Sequence, residues 1–444
     1  MSECALPTTL PAWLTRLEAA HPVGIDLGLD RVAEVARRMG LGEAPPAARV
    51  ITVAGTNGKG STVAMLEALA QAHGLTTATY TSPHLLRYNE RLRLDGREAD
   101  DATLIAGFEA VEAARLAGEP ISLSYFEMGT LGALWAIARQ SPALAILEVG
   151  LGGRLDAVNI IDPDVAVITT VAQDHAAFLG DDIEGIGREK AGILRPGRPA
   201  VLGSTTLPAS VTEVARERRA RVVALGEAFH REGEGAGWGW SGQDGGGHPV
   251  SLVDLPDPEL PLDNAASALQ ALALAGVSLE ASACRRALAS VRLPGRMQWL
   301  GPWCLDVGHN PHAAAYVAQR LVARPCAGRT VALIGMLADK DADGVIDALA
   351  SAVDAWVPVS LEGERARSAD DLAGRLTRQG ATIWHRGDSP AEAADWLSAR
   401  LAPEDRVLVC GSFFTVAAVL AWHRAGGPSA GPTAGHAMRS EEAR

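Results

Sequence analysis

Val53-Ala54-Gly55-Thr56-Asn57-Gly58-Lys59-Gly60-Ser61-Thr62 is a glycine-rich turn set between an apolar run and a helical one. Ile51, Val53 and Ala54 end a buried strand, and the run from Thr62 to Ala72 has the composition of a helix. Glycines let backbone N–H groups crowd an anion, and the following helix turns its positive end toward it. Gly55, Thr56, Asn57, Gly58, Lys59, Gly60 and Ser61 therefore read as a cradle for a nucleotide's triphosphate, with the Lys59 ammonium neutralising the β and γ groups. The spacing differs from the common G-x-x-x-x-G-K-S/T loop: Val occupies position 53, and Gly60 separates Lys59 from Ser61. The plain alternative is a glycine-rich turn opening an ordinary helix; the strand-turn-helix context favours the nucleotide.

A chain of 444 residues exceeds what one hydrophobic core usually supports, so two domains are expected. With 48% hydrophobic and 21% charged residues, it has the composition of an ordinary folded globular protein. A formal net charge of -13 argues against nucleic acid or an anionic membrane as a partner. The five cysteines, Cys4, Cys284, Cys304, Cys326 and Cys410, are odd in number and contain no C-x-x-C pair, which suggests neither a disulfide framework nor a zinc site. Glu3 and Pro7 stand where a secretory signal would carry basic and apolar residues, and no apolar run reaches bilayer length. A reducing cytoplasm is the expected location. No dimerisation signature stands out, so a monomer is expected.

Strands and helices alternate outward from the turn. Apolar strands are expected at 50–54, 77–81, 143–149, 165–170 and 199–203, and helices at 12–20, 29–40, 61–73, 101–117, 127–140 and 208–220. This alternation implies an α/β fold with a mainly parallel sheet covered on both faces. Gly233 to Gly247 reads either as a low-complexity linker or as an irregular hairpin; Trp238 and Trp240 favour the hairpin, because linkers seldom carry paired Trp. Helices at 263–275 and 280–290 lead to the turn Leu293-Pro294-Gly295-Arg296, a domain boundary. Beyond it, strands at 303–307, 330–334, 355–359, 381–384 and 406–410 and a closing helix at 413–424 form a smaller Rossmann-like α/β domain. The expected division is 1–297, 298–425 and a disordered tail at 426–444, whose mixture of Gly, Pro, Ser and charge lacks any period.

The remaining chemistry gathers at strand ends, where ligands of open α/β sheets bind. The strand at 143–149 delivers Glu148, a carboxylate able to hold Mg²⁺ against a nucleotide, or else a solvated charge closing a strand. Gly150-Leu151-Gly152-Gly153-Arg154-Leu155-Asp156 is a tight turn that ends in opposite charges. Ser82 can offer a hydroxyl oxygen to Mg²⁺, though alone it is a turn residue before proline. His175, after the strand at 165–170, can ligate through a neutral imidazole nitrogen; taken singly it would be a hydrogen-bonded loop histidine. Lys190 poses a problem of like charges beside Mg²⁺. Addition of CO₂ to its amine would make a carbamate able to bridge to a second Mg²⁺, whereas the bare residue reads as a surface lysine on a helix.

With these pieces in order, the chain resembles the folylpolyglutamate synthase and dihydrofolate synthase family of the Mur ligase superfamily. The resemblance runs from about residue 10 to 425. It rests on Gly55-Thr56-Asn57-Gly58-Lys59-Gly60, Ser82-Pro83-His84-Leu85, Tyr125-Phe126-Glu127, Leu147 to Asp156, Arg188-Glu189-Lys190-Ala191-Gly192, Leu293-Pro294-Gly295-Arg296 and Asp306-Val307-Gly308-His309-Asn310-Pro311-His312. It implies that Ser82, Glu148 and His175 bind Mg²⁺ and that Lys190 is the carbamylated position. Asn264, Arg296 and Asp306 would contact ATP, with Asp306 and His309 also near the incoming glutamate. Ser124, Tyr125, Phe126 and Glu127, with Arg154, Asp156 and Ala157, look like the family's dihydropteroate pocket, an aromatic face and a carboxylate suiting a pterin. Ser124, Val158, Gly308 and Gln173 depart from the family's pattern without removing a metal ligand or the phosphate lysine.

The implied reaction begins when a substrate carboxylate attacks the γ-phosphate of ATP to give an acyl phosphate, a step needing positioning and charge neutralisation more than covalent help. The amine of L-glutamate then attacks the activated carbonyl, releasing phosphate and leaving ADP. Lys59, Lys190, Asp306 and His309 are the expected catalytic residues. Both domains would contribute, closure excluding the water that destroys acyl phosphates. The expected substrates are dihydropteroate, reduced folates, L-glutamate and ATP. A cell-wall Mur ligase is the nearest rival, but the stretch before the phosphate loop is too short for its additional uridine-nucleotide domain. A P-loop ATPase driving a partner's motion is the rival from another class; the blocks at Pro294–Arg296 and Asp306–His312 speak against it.

Overall fold

The computed structural model describes residues 6–21, 26–42, 44–174, 176–363 and 365–427. The polypeptide divides into two compact units at Leu293/Pro294. The first unit is built on strands β1 (Val50–Ala54), β2 (Thr77–Tyr80), β3 (Leu92–Leu94), β4 (Arg97–Glu98), β5 (Leu144–Glu148), β6 (Val165–Ile168), β7 (Pro199–Leu202) and β8 (Arg221–Ala224). They form one sheet in the order β4-β3-β2-β5-β1-β6-β7-β8. The strands from β2 across to β8 run parallel, and β3 and β4 extend one edge antiparallel. β1 is buried along its whole length, as its unbroken Val-Ile-Thr-Val-Ala run requires when helices cover both faces.

On one face pack the Lys59–Ala72, Leu262–Leu274 and Ala281–Ser290 helices, whose Leu66, Leu69, Leu269 and Leu288 join Ile51 and Ile146 in a single core. On the other face, Leu10–Ala19, Asp30–Arg38, Asp101–Leu116 and Tyr125–Gln140 bury Trp13, Val35, Phe108 and Leu134 against Val50 and Leu147. Register then decides what meets at the carboxyl edge. Val53 lies opposite Glu148, Ala54 opposite Ile168, and Tyr80 opposite Leu147. The strand that feeds the glycine-rich turn is therefore flanked by the ends of β5 and β6.

Strands β9 (His230–Glu232), β10 (Trp238–Gln243) and β11 (Pro249–Leu255) form a separate antiparallel sheet. Trp238 and Trp240 are buried in the core, and the Trp238 indole N–H donates to Pro256 O at 2.9 Å. The hairpin reading of the glycine-rich segment is thus the one realised. Edge strands β3, β4 and β8 escape the sequence pattern because they are short and half-exposed, with little apolar periodicity.

The second unit holds β12 (Gln298–Leu300), β13 (Trp303–Leu305), β14 (Thr330–Ile334), β15 (Ala355–Pro358) and β16 (Arg406–Cys410) in the order β12-β13-β16-β14-β15. All neighbours are parallel except the β12/β13 hairpin. Among the described residues, five helices, from Pro311–Ala323 to Phe413–Arg424, complete this smaller α/β unit. The strand expected at 381–384 does not form. That stretch meets the edge strand β15 through one isolated bridge, Trp356 with Ile383, and a second, Val359 with Gly387, falls just beyond both, too few rungs for a ladder. Among the described residues no helix is long and apolar enough to cross a membrane. Of the expected tail at 426–444, residues 428–444 lie outside the described ones.

Candidate active site

Gly55 leaves β1 at φ 152° and Gly58 caps the Lys59–Ala72 helix at φ 88°. A Cβ on Gly55 would stand 1.9 Å from Thr169 Oγ1, and one on Gly58 would stand 2.6 Å from Asn264 Nδ2. A side chain at either position would meet its neighbours, so the loop is closed in by them. The two threonines after β6 hold it. Thr169 Oγ1 donates to Asn57 O at 2.6 Å, while Thr170 Oγ1 accepts from Asn57 N at 3.1 Å. The Thr56 hydroxyl in turn donates to Ala172 O and accepts from Ala172 N, each at 3.0 Å. Lys59 Nζ donates to Gly55 O at 2.9 Å and to Thr56 O at 3.3 Å, which keeps the ammonium over the loop.

Glu148, buried at the end of β5, reaches the same corner. Its Oε2 accepts from Ser82 N at 3.2 Å, and its Oε1 lies 3.9 Å from where a Gly60 Cβ would be. A carboxylate and a serine are thus brought beside the phosphate loop. His175, the third expected metal ligand, lies outside the described residues. Lys190 is 4% exposed on the Ile183–Ala191 helix, and burial together with the nearby Lys59 charge pushes its amine down to about 7. Asp156, also buried, is pushed up to about 6 by desolvation, even though it accepts backbone N–H bonds from Leu151 at 2.8 Å and Val158 at 3.0 Å. Arg154 pairs with Glu189 at 2.7 Å, and its backbone lies so close to Gly192 that a Cβ there would sit 2.4 Å from Arg154 Cα.

Phe126 lies against Gly150, where a Cβ would come within 2.5 Å of its ring, and its centroid is 6.2 Å from that of Tyr80. Tyr125 meets Tyr88 edge-on at 5.9 Å, and the Arg91 guanidinium lies 5.1 Å from the Tyr88 ring and 5.6 Å from that of Tyr125. Arg91 also donates to His84 Nδ1 at 2.9 Å, and burial plus that cation push His84 down to about 4. Ser124 and Glu127 have local structural partners. The serine hydroxyl accepts from Glu127 N at 3.3 Å, the Glu127 carboxylate accepts from Ser124 N at 2.7 Å, and Arg31 pairs with the same carboxylate at 2.9 Å. Ala157 opens the short helical turn after Asp156 and is buried in the core.

Within the second unit, Asp306 is buried just beyond β13. It accepts from Met297 N at 2.9 Å and Gly308 N at 2.8 Å, and Arg296 Nη1 stands 3.9 Å away. Burial raises its carboxyl above the usual range despite that cation. His309 Nδ1 is 2.9 Å from Val307 O, and Phe413 receives both the Arg296 guanidinium at 5.7 Å and the His309 ring at 6.2 Å. Arg296, Asp306 and His309 are therefore one cluster.

Two family models match the chain: the Mur ligase middle domain over residues 53–232, and the Mur ligase glutamate ligase domain over residues 295–413. The dihydrofolate synthase/folylpolyglutamate synthase of Escherichia coli (strain K12) is 46% identical over 414 residues, covering 93% of this chain and 94% of that protein. The chain belongs to the dihydrofolate synthase/folylpolyglutamate synthase family of Mur ligases. The Haemophilus influenzae protein of the same name is 38% identical over 94% of this chain and 98% of its own length. The solved structure of E. coli FolC in complex with DHPP and ADP is similar with a TM-score of 0.88 at 45% identity, covering 94% of this chain and 98% of that one. Another solved bifunctional folylpolyglutamate synthase/dihydrofolate synthase, with Mn, AMPPNP and L-glutamate bound, gives a TM-score of 0.84 at 43% identity.

The resemblance read from the sequence blocks is thus borne out, as is the α/β fold with its larger and smaller sheets. In this member of the ligase family, sequence reasoning missed Thr169 and Thr170, which clasp the phosphate loop, and Arg91, which lies against the aromatic group. Hydroxyls ending an otherwise apolar strand were the available signal for the threonines. Arg91 offered none, because only folding brings it beside Tyr125.

Proposed function

We propose that this protein is an ATP-dependent ligase that adds L-glutamate to dihydropteroate and to reduced folates through an acyl phosphate. The observation that carries the reading is the corner where the Gly55–Ser61 loop, Lys59, Glu148 and Ser82 converge beside the Phe126 ring on Gly150. The backbone N–H groups of the loop and the Lys59 ammonium bind the terminal phosphates and draw off charge as the folate carboxylate attacks in line. Asn264, which touches the Gly58 position, holds the nucleotide from the side. Arg296 and Asp306 are assigned to ATP, and Asp306 with His309 to the incoming glutamate. Tyr125 and Phe126, with Asp156 and Arg154, are assigned to the pterin; a ring system that stacks and donates hydrogen bonds suits aromatic faces and a carboxylate.

A divalent cation fits this corner. The available donors are hard oxygens: the Glu148 carboxylate beside the loop, and the hydroxyl of Ser82, whose backbone N–H donates to that carboxylate. Among the described residues no group of three His, Cys, Asp or Glu side chains gathers to hold a metal by itself. Mg²⁺ commonly keeps water and substrate phosphates among its ligands, so few protein donors suffice. We assign it to Ser82, Glu148 and His175, where it would neutralise phosphate charge. Lys190 is assigned as the carbamylated position supporting a second Mg²⁺: its amine, pushed down to about 7, is largely uncharged at mildly alkaline pH and thus nucleophilic toward CO₂. We place the enzyme in the reducing cytoplasm as a monomer, a setting that suits its buried free thiols Cys284, Cys304 and Cys410.

The test is purified protein with ATP, Mg²⁺ and L-glutamate, and either dihydropteroate or a tetrahydrofolate, with products weighed by mass spectrometry. A mass gain of one glutamyl residue on each acceptor, with stoichiometric ADP, is expected. ADP formation without glutamate-dependent amide would refute the reading, and a silent dihydropteroate arm would leave only chain extension.

A further inference from the structure

We propose a second ligand site in the first unit, a pocket for a small phosphate-bearing anion at the sheet edge opposite the phosphate loop. The proposal stands apart from the reaction assigned above. A cavity of about 580 Å³ opens there, lined among others by Arg49, His73, Gly276, Ser278, Glu280 and Arg286. Arg49 immediately precedes β1, and His73 caps the carboxyl end of the Lys59–Ala72 helix. The cavity therefore sits at the far ends of the strand and the helix whose near ends form the nucleotide cradle. A helix of 14 residues separates the two sites by roughly 21 Å.

Two features fit this cavity to an anion. First, among the described residues the guanidinium groups of Arg49 and Arg286 take part in no hydrogen bond or ion pair; Arg97, Arg216 and Arg219 of the same unit are also unpaired, but Arg49 and Arg286 line one cavity together. In a chain of net charge -13, two unpaired guanidiniums facing one cavity are a local reversal of sign. Second, the walls are built to hold them. Gly276 has φ +81°, and Arg49 Nη2 lies 3.6 Å from where a Cβ would stand, so the guanidinium lies over a residue with no side chain. His73 ties the cavity together: the Glu280 N–H donates to its Nε2 at 2.9 Å, which leaves the proton on Nδ1, 2.7 Å from Leu69 O. Both ring nitrogens are thus occupied, and the imidazole fixes the wall beside the arginines.

The ligand follows from that inventory. Guanidinium forks match the oxygens of phosphate in bidentate geometry. Ser278 can add a hydroxyl, while the Glu280 carboxylate on the lining disfavours a ligand that is negative throughout. A compact phosphate fits, either orthophosphate itself or the terminal group of a phosphomonoester with an uncharged or amino-bearing remainder.

The experiment is calorimetric titration of the full chain, with ADP and Mg²⁺ saturating the phosphate loop, against orthophosphate in one arm and glycerol 3-phosphate in the other. Binding with Kd below about 1 mM in either arm is expected, and the arm that responds identifies the source. Arg286→Gln, at an exposed position, and the Arg49→Gln/Arg286→Gln pair should weaken binding by about tenfold or more, with the lysine pair restoring part of it. The KM for ATP of these variants should match that of the parent. No heat in either arm, or binding untouched by the double substitution in protein whose melting curve is unchanged, would overturn the proposal.

Discussion

Gly58→Ala isolates the geometry on which the nucleotide cradle depends. Two costs arise at once. The residue sits at φ 88°, and an alanine held left-handed costs roughly 1–2 kcal/mol. Its Cβ would also stand 2.6 Å from Asn264 Nδ2 and 2.8 Å from Oδ1, so the buried Asn264 amide must swing away and would lose the contact with ATP that we propose for it, about 1 kcal/mol more. Together these give about 2–3 kcal/mol, or roughly a 30- to 150-fold fall in kcat/KM for ATP. The assay is steady-state ADP release at saturating folate and glutamate, with melting curves confirming the fold. In an Asn264→Ala background the crowding is gone, and Gly58→Ala should then show only the backbone part, a fall of about 5- to 30-fold. Equal losses in the two backgrounds, or a single variant within about twofold of the parent, would refute the reasoning.

Three further outcomes follow from named contacts. Thr170→Val removes both Asn57 bonds at 3.1 Å and should raise the KM for ATP by about tenfold while lowering the melting temperature little, because the clasp shapes the loop more than the core. Lys190→Met should abolish ligation yet raise the melting temperature in carbonate-free buffer. The folded-state amine is pushed down to about 7 from 10.5, so unfolding takes up a proton between those values, and the lysine's penalty is full below pH 7 and relieved as pH rises toward 10.5; the gain should be larger near pH 6 than near pH 10. Ser124→Ala breaks the capping box of the Tyr125–Gln140 helix and should cost about 1 kcal/mol in denaturant unfolding, and a variant without measurable loss would show the cap to be idle.

The sequence by itself determined the alternation of elements, the phosphate loop and the order of the motif blocks. The reason is local: strand apolarity, glycine at left-handed positions such as Gly58 and the opening of a helix after Lys59 are written within a few residues of one another. It also delivered Glu148 and Lys190 as groups worth watching. What only the tertiary structure decided is who meets whom. The order β2-β5-β1-β6 sets Ser82 against Glu148 and turns Thr169 and Thr170 onto Asn57, contacts between residues far apart in the chain. Burial likewise emerges only on folding. Taken alone, Lys190 reads as a surface lysine and only the motif block singles it out; its lowered proton affinity comes from the desolvation and the neighbouring Lys59 charge that packing imposes. The strand expected at 381–384 fails for the converse reason: its residues suit a strand, but the sheet offers it only an edge with isolated rungs.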